Sequence, residues 1–210
     1  MTVIRQDDLI DSVADALQFI SYYHPVDFVQ AVHEAYEKEQ NPAAKDAMAQ
    51  ILINSRMCAQ GHRPICQDTG IVTVFLKIGM NVQWDATMSV ADMINEGVRR
   101  AYTHPDNVLR ASILEDPAGA RRNTKDNTPA VIHMEVVEGD TVDVQVAAKG
   151  GGSENKSKLV MLNPSDSIVD WVVKTIPTMG AGWCPPGMLG IGIGGTAEKA
   201  AVLAKEALMD

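Results

Sequence analysis

The run Ile71-Val-Thr-Val-Phe-Leu-Lys-Ile78 limits the possible folds more than any other stretch of the chain. It is short and rich in β-branched and aromatic residues, and it therefore predicts a strand. The residues before it have a different period, because apolar side chains recur at three-four spacing within residues 7–22, 26–39 and 42–55. This spacing predicts three amphipathic helices ahead of the strand, the first with Asp7 or Asp8 as its cap.

Helical and strand patterns continue to alternate after residue 78. A helix is predicted over residues 89–103, and the runs 131–137 and 141–147 flank Glu138-Gly139-Asp140 as a β-hairpin would. Further predictions are strands at residues 159–161 and 188–193, and helices over residues 165–175 and 196–208. We therefore expect an α+β fold of mixed α/β layers. It would form one domain over residues 1–210, with a helical subregion at 1–57 and a mixed α/β part at 58–210.

Composition excludes several classes of function. The 210 residues are 46% hydrophobic, which is enough to build a core. A net charge of -9 argues against nucleic acid as the main partner, although Arg99-Arg100 and Arg121-Arg122 are local basic clusters. The N-terminus does not resemble a secretory signal, and no apolar run is long enough to span a membrane. These features predict a cytoplasmic protein with reduced cysteines and no membrane partner.

Cys66 is the centre of the most chemically rich stretch of the sequence. It follows Pro64 and precedes Thr69-Gly70, which predicts a loop. Its neighbours Gln67 and Asp68 are polar, whereas a cysteine buried as a small hydrophobic residue would have apolar neighbours. Loops on a rigid scaffold often carry ligands and catalytic groups. Cys66 is thus a candidate metal ligand or nucleophile, with a buried structural thiol as the alternative.

Cys184 has a similar setting between Gly182-Trp183 and Pro185-Pro186-Gly187, which is rich in turn-forming residues. The third cysteine, Cys58, suggests another possibility, because Cys58, His62 and Cys66 are spaced by four residues and could bind zinc from one helix face. Glycine and proline at positions 61 and 64 interrupt such a helix. Cys58 is more consistent with a structural residue at the end of the third helix.

Two glycine-rich stretches remain. Lys149-Gly-Gly-Gly-Ser-Glu-Asn-Lys-Ser157 departs from the P-loop spacing. Its backbone amides could hold a carboxylate, or the stretch could be a flexible surface loop. Leu189-Gly-Ile-Gly-Ile-Gly-Gly195 departs from the dinucleotide-binding pattern, and we interpret it as a site of close packing at the start of the last helix.

Three of these motifs occur together and in order: residues 61–70, 149–157 and 182–187. In this combination the chain resembles, over nearly its whole length, the N-terminal domain of class I, iron–sulfur-dependent fumarate hydratases and of the related alpha-type tartrate dehydratases. The resemblance implies a 4Fe–4S cluster on three cysteine thiolates, with one iron left to act as a Lewis acid on the substrate. Cys66 and Cys184 match two of the ligands, and the third is expected outside this chain.

The resemblance also implies the residues that contact a small dicarboxylate substrate, malate or fumarate. They are Gln67, Asp68, Arg110 and the amides of Gly150, Gly151 and Gly152. Asp68 is expected to be catalytic, exchanging protons near the labile iron. The structural alternatives are an Asx-turn for Asp68 and a solvated surface charge for Arg110.

In the family that the chain resembles, the general base lies in a C-terminal domain or a beta subunit. We therefore expect a truncated piece, or a subunit lacking its partner, with little hydratase activity by itself and a homodimer in the complete enzyme. One alternative is an alpha-type tartrate dehydratase subunit. Another is a non-catalytic carboxylate-binding or assembly module whose cysteines are structural.

Overall fold

The computed structural model describes residues 2–184 and 186–209 and has the expected α+β class, with helices around small mixed sheets. The chain separates into two compact units, Met1–Lys149 and Gly150–Asp210. Two such units can belong to one domain, so the single domain over residues 1–210 stays a prediction.

Four helices belong to the first unit, and all four were predicted to within a few residues. They are α1 (Gln6–Tyr22), α2 (Val26–Lys38), α3 (Pro42–Gly61) and α4 (Val90–Tyr102). The Asn41 side chain caps α3 by accepting hydrogen bonds from the N–H groups of Ala43 and Ala44. The predicted cap of α1 is wrong, because Arg5 is the N-cap and Asp8 accepts from its backbone N–H at 3.3 Å. Among the described helices, none combines the length and apolar content that crossing a bilayer requires.

Seven strands form three small sheets in this unit. They are β1 (Val3–Arg5), β2 (Ile71–Gly79), β3 (Gln83–Asp85), β4 (Leu114–Glu115), β5 (Arg122–Asn123), β6 (Val131–Val137) and β7 (Val142–Lys149). The main sheet has the order β6-β2-β7, in which β2 is parallel to β6 and antiparallel to β7. The other two sheets pair β1 with β3 and β4 with β5.

The predicted hairpin between residues 131–137 and 141–147 is therefore wrong, because β2 lies between the two strands. The reason is the burial of β2, whose Val74 and Leu76 are buried on one face while Thr73 and Phe75 are buried on the other. A strand buried on both faces takes the centre of a sheet. The 138–140 turn instead passes the end of β2, where the Asn81 N–H donates to the Gly139 carbonyl at 2.9 Å.

The core lies between α1, α4 and one face of the main sheet. Buried side chains of the two helices meet Val72, Val74 and Leu76 of β2. Gly97 allows α4 to approach α1, since a Cβ atom there would lie 2.7 Å from the Ile10 carbonyl oxygen. The rigid sheet that results holds the start of β2, where the sequence motif around Cys66 ends.

The second unit contains α5 (Gly151–Glu154), α6 (Ile168–Thr175), α7 (Ala197–Glu206) and two 3-10 turns, Ile176–Met179 and Ala181–Trp183. The two predicted helices here are confirmed as α6 and α7. The strands predicted at 159–161 and 188–193 are wrong, because the described residues there form no strand. Gly190 and Gly192 instead lie against the carbonyl groups of Ala204 and Ala200 in α7, so this segment packs closely on a helix, as its glycine pattern indicated.

Candidate functional site

The Cys66 loop, defined here as residues 62–70, connects α3 to β2. The helix ends at Gly61, and His62 takes a left-handed conformation with φ 47° that turns the chain out of the helix. The loop predicted around Cys66 is confirmed, and the thiol is exposed. A rigid helix on one side and the central strand on the other therefore fix the ends of this loop.

Polar groups surround the Cys66 sulfur within its own loop. The Asp68 backbone N–H donates to Sγ at 3.4 Å, and the thiol donates to Gln67 Oε1 at 3.3 Å. The sulfur is thus exposed and hydrogen-bonded in a polar setting, which suits the binding of a metal centre. An exposed, amide-supported thiol fits a ligand to an iron–sulfur cluster, whereas the alternative of a buried structural thiol does not describe Cys66.

Asp68 organises the loop. Its Oδ1 accepts a hydrogen bond from the Gly70 N–H at 3.3 Å, which is an Asx-turn, and the residue is half-buried. Gly70 has φ +90°, and a Cβ atom there would lie 2.5 Å from the Ala148 carbonyl carbon. The loop thus lies directly on β7 at the point where glycine is needed. The structural role predicted for Asp68 is confirmed, and its catalytic role stays a prediction.

Arg110 lies beside the Cys66 loop although the two are far apart in the sequence. Thr69 Oγ1 donates to the Arg110 carbonyl oxygen at 2.7 Å, which fixes the Arg110 backbone against the loop. The Arg110 side chain is exposed. The structure therefore brings Cys66, Gln67, Asp68 and Arg110 together in one region of the first unit.

Two buried residues that sequence reasoning missed support the loop from below. The Tyr102 hydroxyl donates to the carbonyls of Thr69 and Gly70 at 2.6 and 3.3 Å, and Asn127 Nδ2 donates to the Gly70 carbonyl at 3.0 Å. Burial raises the pKa of Tyr102, which keeps its hydroxyl protonated as a donor. The sequence marked Tyr102 only as an inward position of α4. Nothing in the sequence near Asn127, which has φ 63°, indicated its contact with the loop.

The remaining predicted site residues lie in the second unit. Gly150 is the N-cap of the short helix α5, so the stretch that begins there is ordered as a helical turn. Cys184 is exposed with φ 60° and ends the 3-10 turn Ala181–Trp183, in agreement with the turn predicted there. Pro185, which follows it, lies outside the described residues.

These two motifs of the second unit contact each other. Ser153 Oγ donates to the Trp183 carbonyl at 3.3 Å, and a Cβ atom on Gly152 would lie 3.0 Å from the Gly182 oxygen. The structure thus brings the segment with Gly150, Gly151 and Gly152 next to the turn that ends at Cys184. The exposed thiol of Cys184 also fits a cluster ligand.

The zinc site considered for Cys58, His62 and Cys66 does not form. Cys58 is buried in α3, with its sulfur 3.5 Å from Asn54 Oδ1 and 3.6 Å from the Pro64 carbonyl. The His62 ring stacks on Tyr22 with centroids 4.7 Å apart. Over residues 2–184 and 186–209, no three His, Cys, Asp or Glu side chains gather as a metal site would require. Cys58 is a structural residue, as its position at the end of the third helix indicated.

Comparison with known proteins gives the family. A family model described as fumarate hydratase (Fumerase) matches residues 10–210. The chain belongs to the fumarate hydratase family. Its members include hydro-lyases, so the Cys66 loop is a candidate active-site segment of a hydro-lyase.

Two proteins that are similar to this chain are named as alpha subunits of L(+)-tartrate dehydratase. The chain is 38% identical to a putative L(+)-tartrate dehydratase subunit alpha of Methanocaldococcus jannaschii, over 95% of this chain and 71% of the relative. It is 27% identical to the L(+)-tartrate dehydratase subunit alpha of Escherichia coli strain UTI89, over 96% of this chain and 67% of the relative. Both similarities extend over both units of the structure.

Proposed function

We propose that this chain is the cluster- and substrate-binding part of an iron–sulfur hydro-lyase that interconverts (S)-malate and fumarate. Membership of the fumarate hydratase family supports the reaction class. The observation that carries the proposal is the exposed Cys66 thiol with an amide N–H at 3.4 Å, in a loop shared with Asp68 and fixed to Arg110. A thiol and a carboxyl group in one loop, with the Arg110 backbone held beside them, suit a metal-assisted reaction on a dicarboxylate.

Cys66 and Cys184 would hold a 4Fe–4S cluster as two of its three thiolate ligands. When bound, the cluster supplies a Lewis-acidic iron that polarises the C–OH bond of the substrate. The third thiolate would come from outside these 210 residues, because Cys58, the remaining cysteine, is buried in a helix. Chains of this family would thus complete the cluster with a further domain or subunit.

The substrate would bind through its carboxylates. The Arg110 guanidinium can form a paired hydrogen bond with one carboxylate, and the amides of Gly150, Gly151 and Gly152 would hold the other, with Gln67 as a further contact. In the dehydration direction the C2–O and C3–H bonds break, a C2=C3 double bond forms and water leaves. Asp68 would give a proton to the departing hydroxide, while a base from the partner removes the C3 proton.

The partner would be a beta subunit or a C-terminal domain. Both relatives are named as alpha subunits, which supports a second polypeptide for this chain as well. We assign the general base to that partner, as the resemblance to the family implies. The chain alone is therefore expected to have little activity.

L(+)-tartrate is the second candidate substrate, favoured by the names of the two relatives. It carries one hydroxyl more than malate, on the carbon that loses the proton. A pocket for tartrate needs a hydrogen-bond partner for that hydroxyl, and such a partner discriminates strongly between otherwise similar substrates.

Anaerobic reconstitution with iron and sulfide tests the cluster. We expect the wild-type chain, mixed with the beta subunit of a relative, to gain visible absorption and iron, and Cys66→Ala or Cys184→Ala to reduce both. Cys58→Ala is the matched control, since it removes the buried cysteine of α3, which is not a proposed ligand. Equal iron content in all four proteins would show that the cysteines are not ligands and would favour the non-catalytic carboxylate-binding module.

Activity of the reconstituted mixture identifies the substrate. Turnover of (S)-malate without turnover of L(+)-tartrate supports the first proposal, and the reverse supports the second. Arg110→Ala should raise KM about tenfold or more for either substrate, because a charged hydrogen-bond pair is lost. Arg56→Ala, at an exposed position of α3, is the control and should leave KM unchanged. An Arg110→Ala enzyme with normal KM would remove Arg110 from the site.

A further inference from the structure

Strand β6 forms an open edge of the main sheet. It pairs with β2 on one side, and no other described strand pairs with it. Apolar side chains along it are unusually exposed: Val131 by 47%, Met134 by 51% and Val136 by 69%. Of the features that protect edge strands from pairing, β6 has one charged side chain, Glu135, but no proline, lysine or bulge. An edge with so little protection and with exposed apolar side chains can accept another strand.

The hydrogen bonds of β6 show which of its backbone groups face outward. The Met80 N–H donates to the Val137 carbonyl at the end of β2, so the backbone of Val137 faces the sheet. In a parallel ladder alternate residues of a strand direct their N–H and C=O groups to the same neighbour. Glu135 and His133 therefore also face β2, and the outward groups belong to Ile132, Met134 and Val136.

We propose that β6 pairs antiparallel with β6 of a second copy of this chain, about a twofold axis through Met134. The outward backbone groups of the three residues 132, 134 and 136 then bond to those of residues 136, 134 and 132 of the copy. This is an isologous contact, in which the same surface serves both chains. It joins the two three-stranded sheets into one continuous sheet.

Side chains support this register on both faces of the sheet. On the face that carries the core, Met134 meets Met134 of the copy, and Ile132 meets Val136. On the other face, His133 meets Glu135, and the imidazole and carboxyl groups can form a hydrogen bond that occurs twice in the dimer. These two residues occupy non-hydrogen-bonded positions, where facing side chains are closest.

Other registers fit less well. An axis through His133 or Glu135 also keeps the outward backbone groups paired, but it would place like residues opposite each other and lose the pairing of His133 with Glu135. An axis through Ile132 or Val136 would lose the pairing of His133 with Glu135 and shorten the overlap. The His133 ring is held in place for its pairing with Glu135 of the copy, because it stacks on Phe75 with centroids 4.7 Å apart. The outward backbone groups thus limit the possible axes, and the side chains select the one through Met134, which argues for a second copy over an unrelated strand.

Sedimentation of the full chain over a wide range of concentrations tests the dimer without cluster or substrate. We expect wild type to form a reversible dimer and Met134→Lys to be monomeric, because two ammonium groups would meet at the axis. Met57→Lys changes another exposed methionine, on α3, and should dimerise like wild type. A monomeric wild-type chain, or a dimer that persists in Met134→Lys, would overturn the proposal.

Cross-linking tests the register. In a chain with Cys66→Ser and Cys184→Ser, a Met134→Cys variant should form a disulfide between copies on mild oxidation, because hydrogen-bonded antiparallel pairs place Cα atoms about 5.5 Å apart. His133→Cys, whose partner is Glu135, and Met57→Cys should cross-link far more slowly. Equal rates in the three variants would show that β6 does not meet itself at Met134.

Discussion

Gly70 combines a left-handed backbone conformation with a close contact to the backbone of β7. The residue has φ +90°, and its missing side chain leaves room for Ala148 and the Lys149 N–H of β7. Its carbonyl accepts from both Tyr102 and Asn127. The position of the Cys66 thiol therefore depends on a glycine four residues further along the chain and on two side chains from other elements.

Gly70→Ala should destabilise the first unit more than Gly139→Ala does. Both glycines have positive φ, but a Cβ atom on Gly139 meets nothing within 4 Å, whereas on Gly70 it meets backbone atoms at 2.5 Å and 2.8 Å. Chemical unfolding should show a loss of about 1 kcal/mol for Gly139→Ala from conformation alone. For Gly70→Ala we expect a further ~1–3 kcal/mol from the clash. Equal losses of unfolding free energy in the two variants would mean that β7 moves to make room for the added methyl group at no cost in stability.

Tyr102→Phe should loosen the Cys66 loop while keeping the ring in the core. The lost hydroxyl leaves the Thr69 carbonyl without a buried donor, at a cost of about 1–2 kcal/mol in unfolding free energy. The alkylation rate of Cys66 should also change, since its loop is less constrained. Tyr36→Phe, at a half-buried ring of α2, is the control. Unchanged alkylation in both variants would show that Tyr102 supports stability without positioning the loop.

At the scale of elements, the helices were predictable and the strand pairing was not. Helix periods and caps are local, so Asn41-Pro42 and the apolar spacing that follows it were enough to predict α3. A period-two pattern indicates which face of a strand is buried, but not which strand lies beside it. The 131–137 and 141–147 runs therefore suggested a hairpin, and only the two-sided burial of β2 shows why that strand separates them.

In the candidate site, too, local features were predictable from the sequence and long-range contacts were not. Pro64, Gly70 and the polar residues between them predicted an exposed loop, because turn chemistry is local. Arg110 was connected to that loop by family resemblance alone. Asn127 escaped prediction, because its bond to Gly70 spans 57 residues of sequence. Tertiary contacts of this length leave no periodic signal.

Helix α4 carries a pH-dependent contribution to stability. Hydrogen bonds from Arg99, with a further one from Arg100, lower the pKa of Glu96 to about 2. A lowered carboxyl pKa stabilises the fold above the unfolded value of 4.5, and this stability is lost as the pH falls towards 2. Arg100 also contacts Asp11 of α1 at 2.8 Å, so the group of charges connects the two core helices.

Glu96→Gln should therefore lower the unfolding free energy near neutral pH and have a diminishing effect in acid. Urea unfolding of wild type and variant, repeated from neutral pH to below pH 4, measures the difference. Glu37→Gln, at an exposed position of α2, is the control and should have a small effect throughout. A Glu96→Gln effect that stays constant down to the lowest pH would contradict the pKa shift as its cause.

At the scale of the whole molecule, burial is unevenly distributed. The buried hydrophobic residues all belong to the first unit, between Leu9 and Leu109. In the second unit no described residue is buried, and large apolar side chains such as Met161, Val169 and Ile193 are exposed. Exposed apolar area of this extent is typical of a surface that another polypeptide covers.

Amide hydrogen exchange should separate the two units. In the isolated chain we expect α4 and β2 to exchange slowly and α6 and α7 to exchange fast, because local stability follows buried apolar contacts. Adding the beta subunit of a relative should slow exchange in α6 and α7 and leave β2 unchanged. Equal protection of α7 and β2 in the isolated chain would contradict this account.

The central place of β2 also sets the order of events during synthesis. The ribosome completes β2 at Gly79 but makes residues 80–130 before the first of its two partners begins. Until Lys149 emerges, the main sheet lacks β7, and apolar side chains of α1 and β2 stay incompletely covered in the nascent chain. We therefore expect the core of the first unit to be completed only after β7 is made, so that chaperones which shield apolar segments have their longest opportunity between β2 and β7.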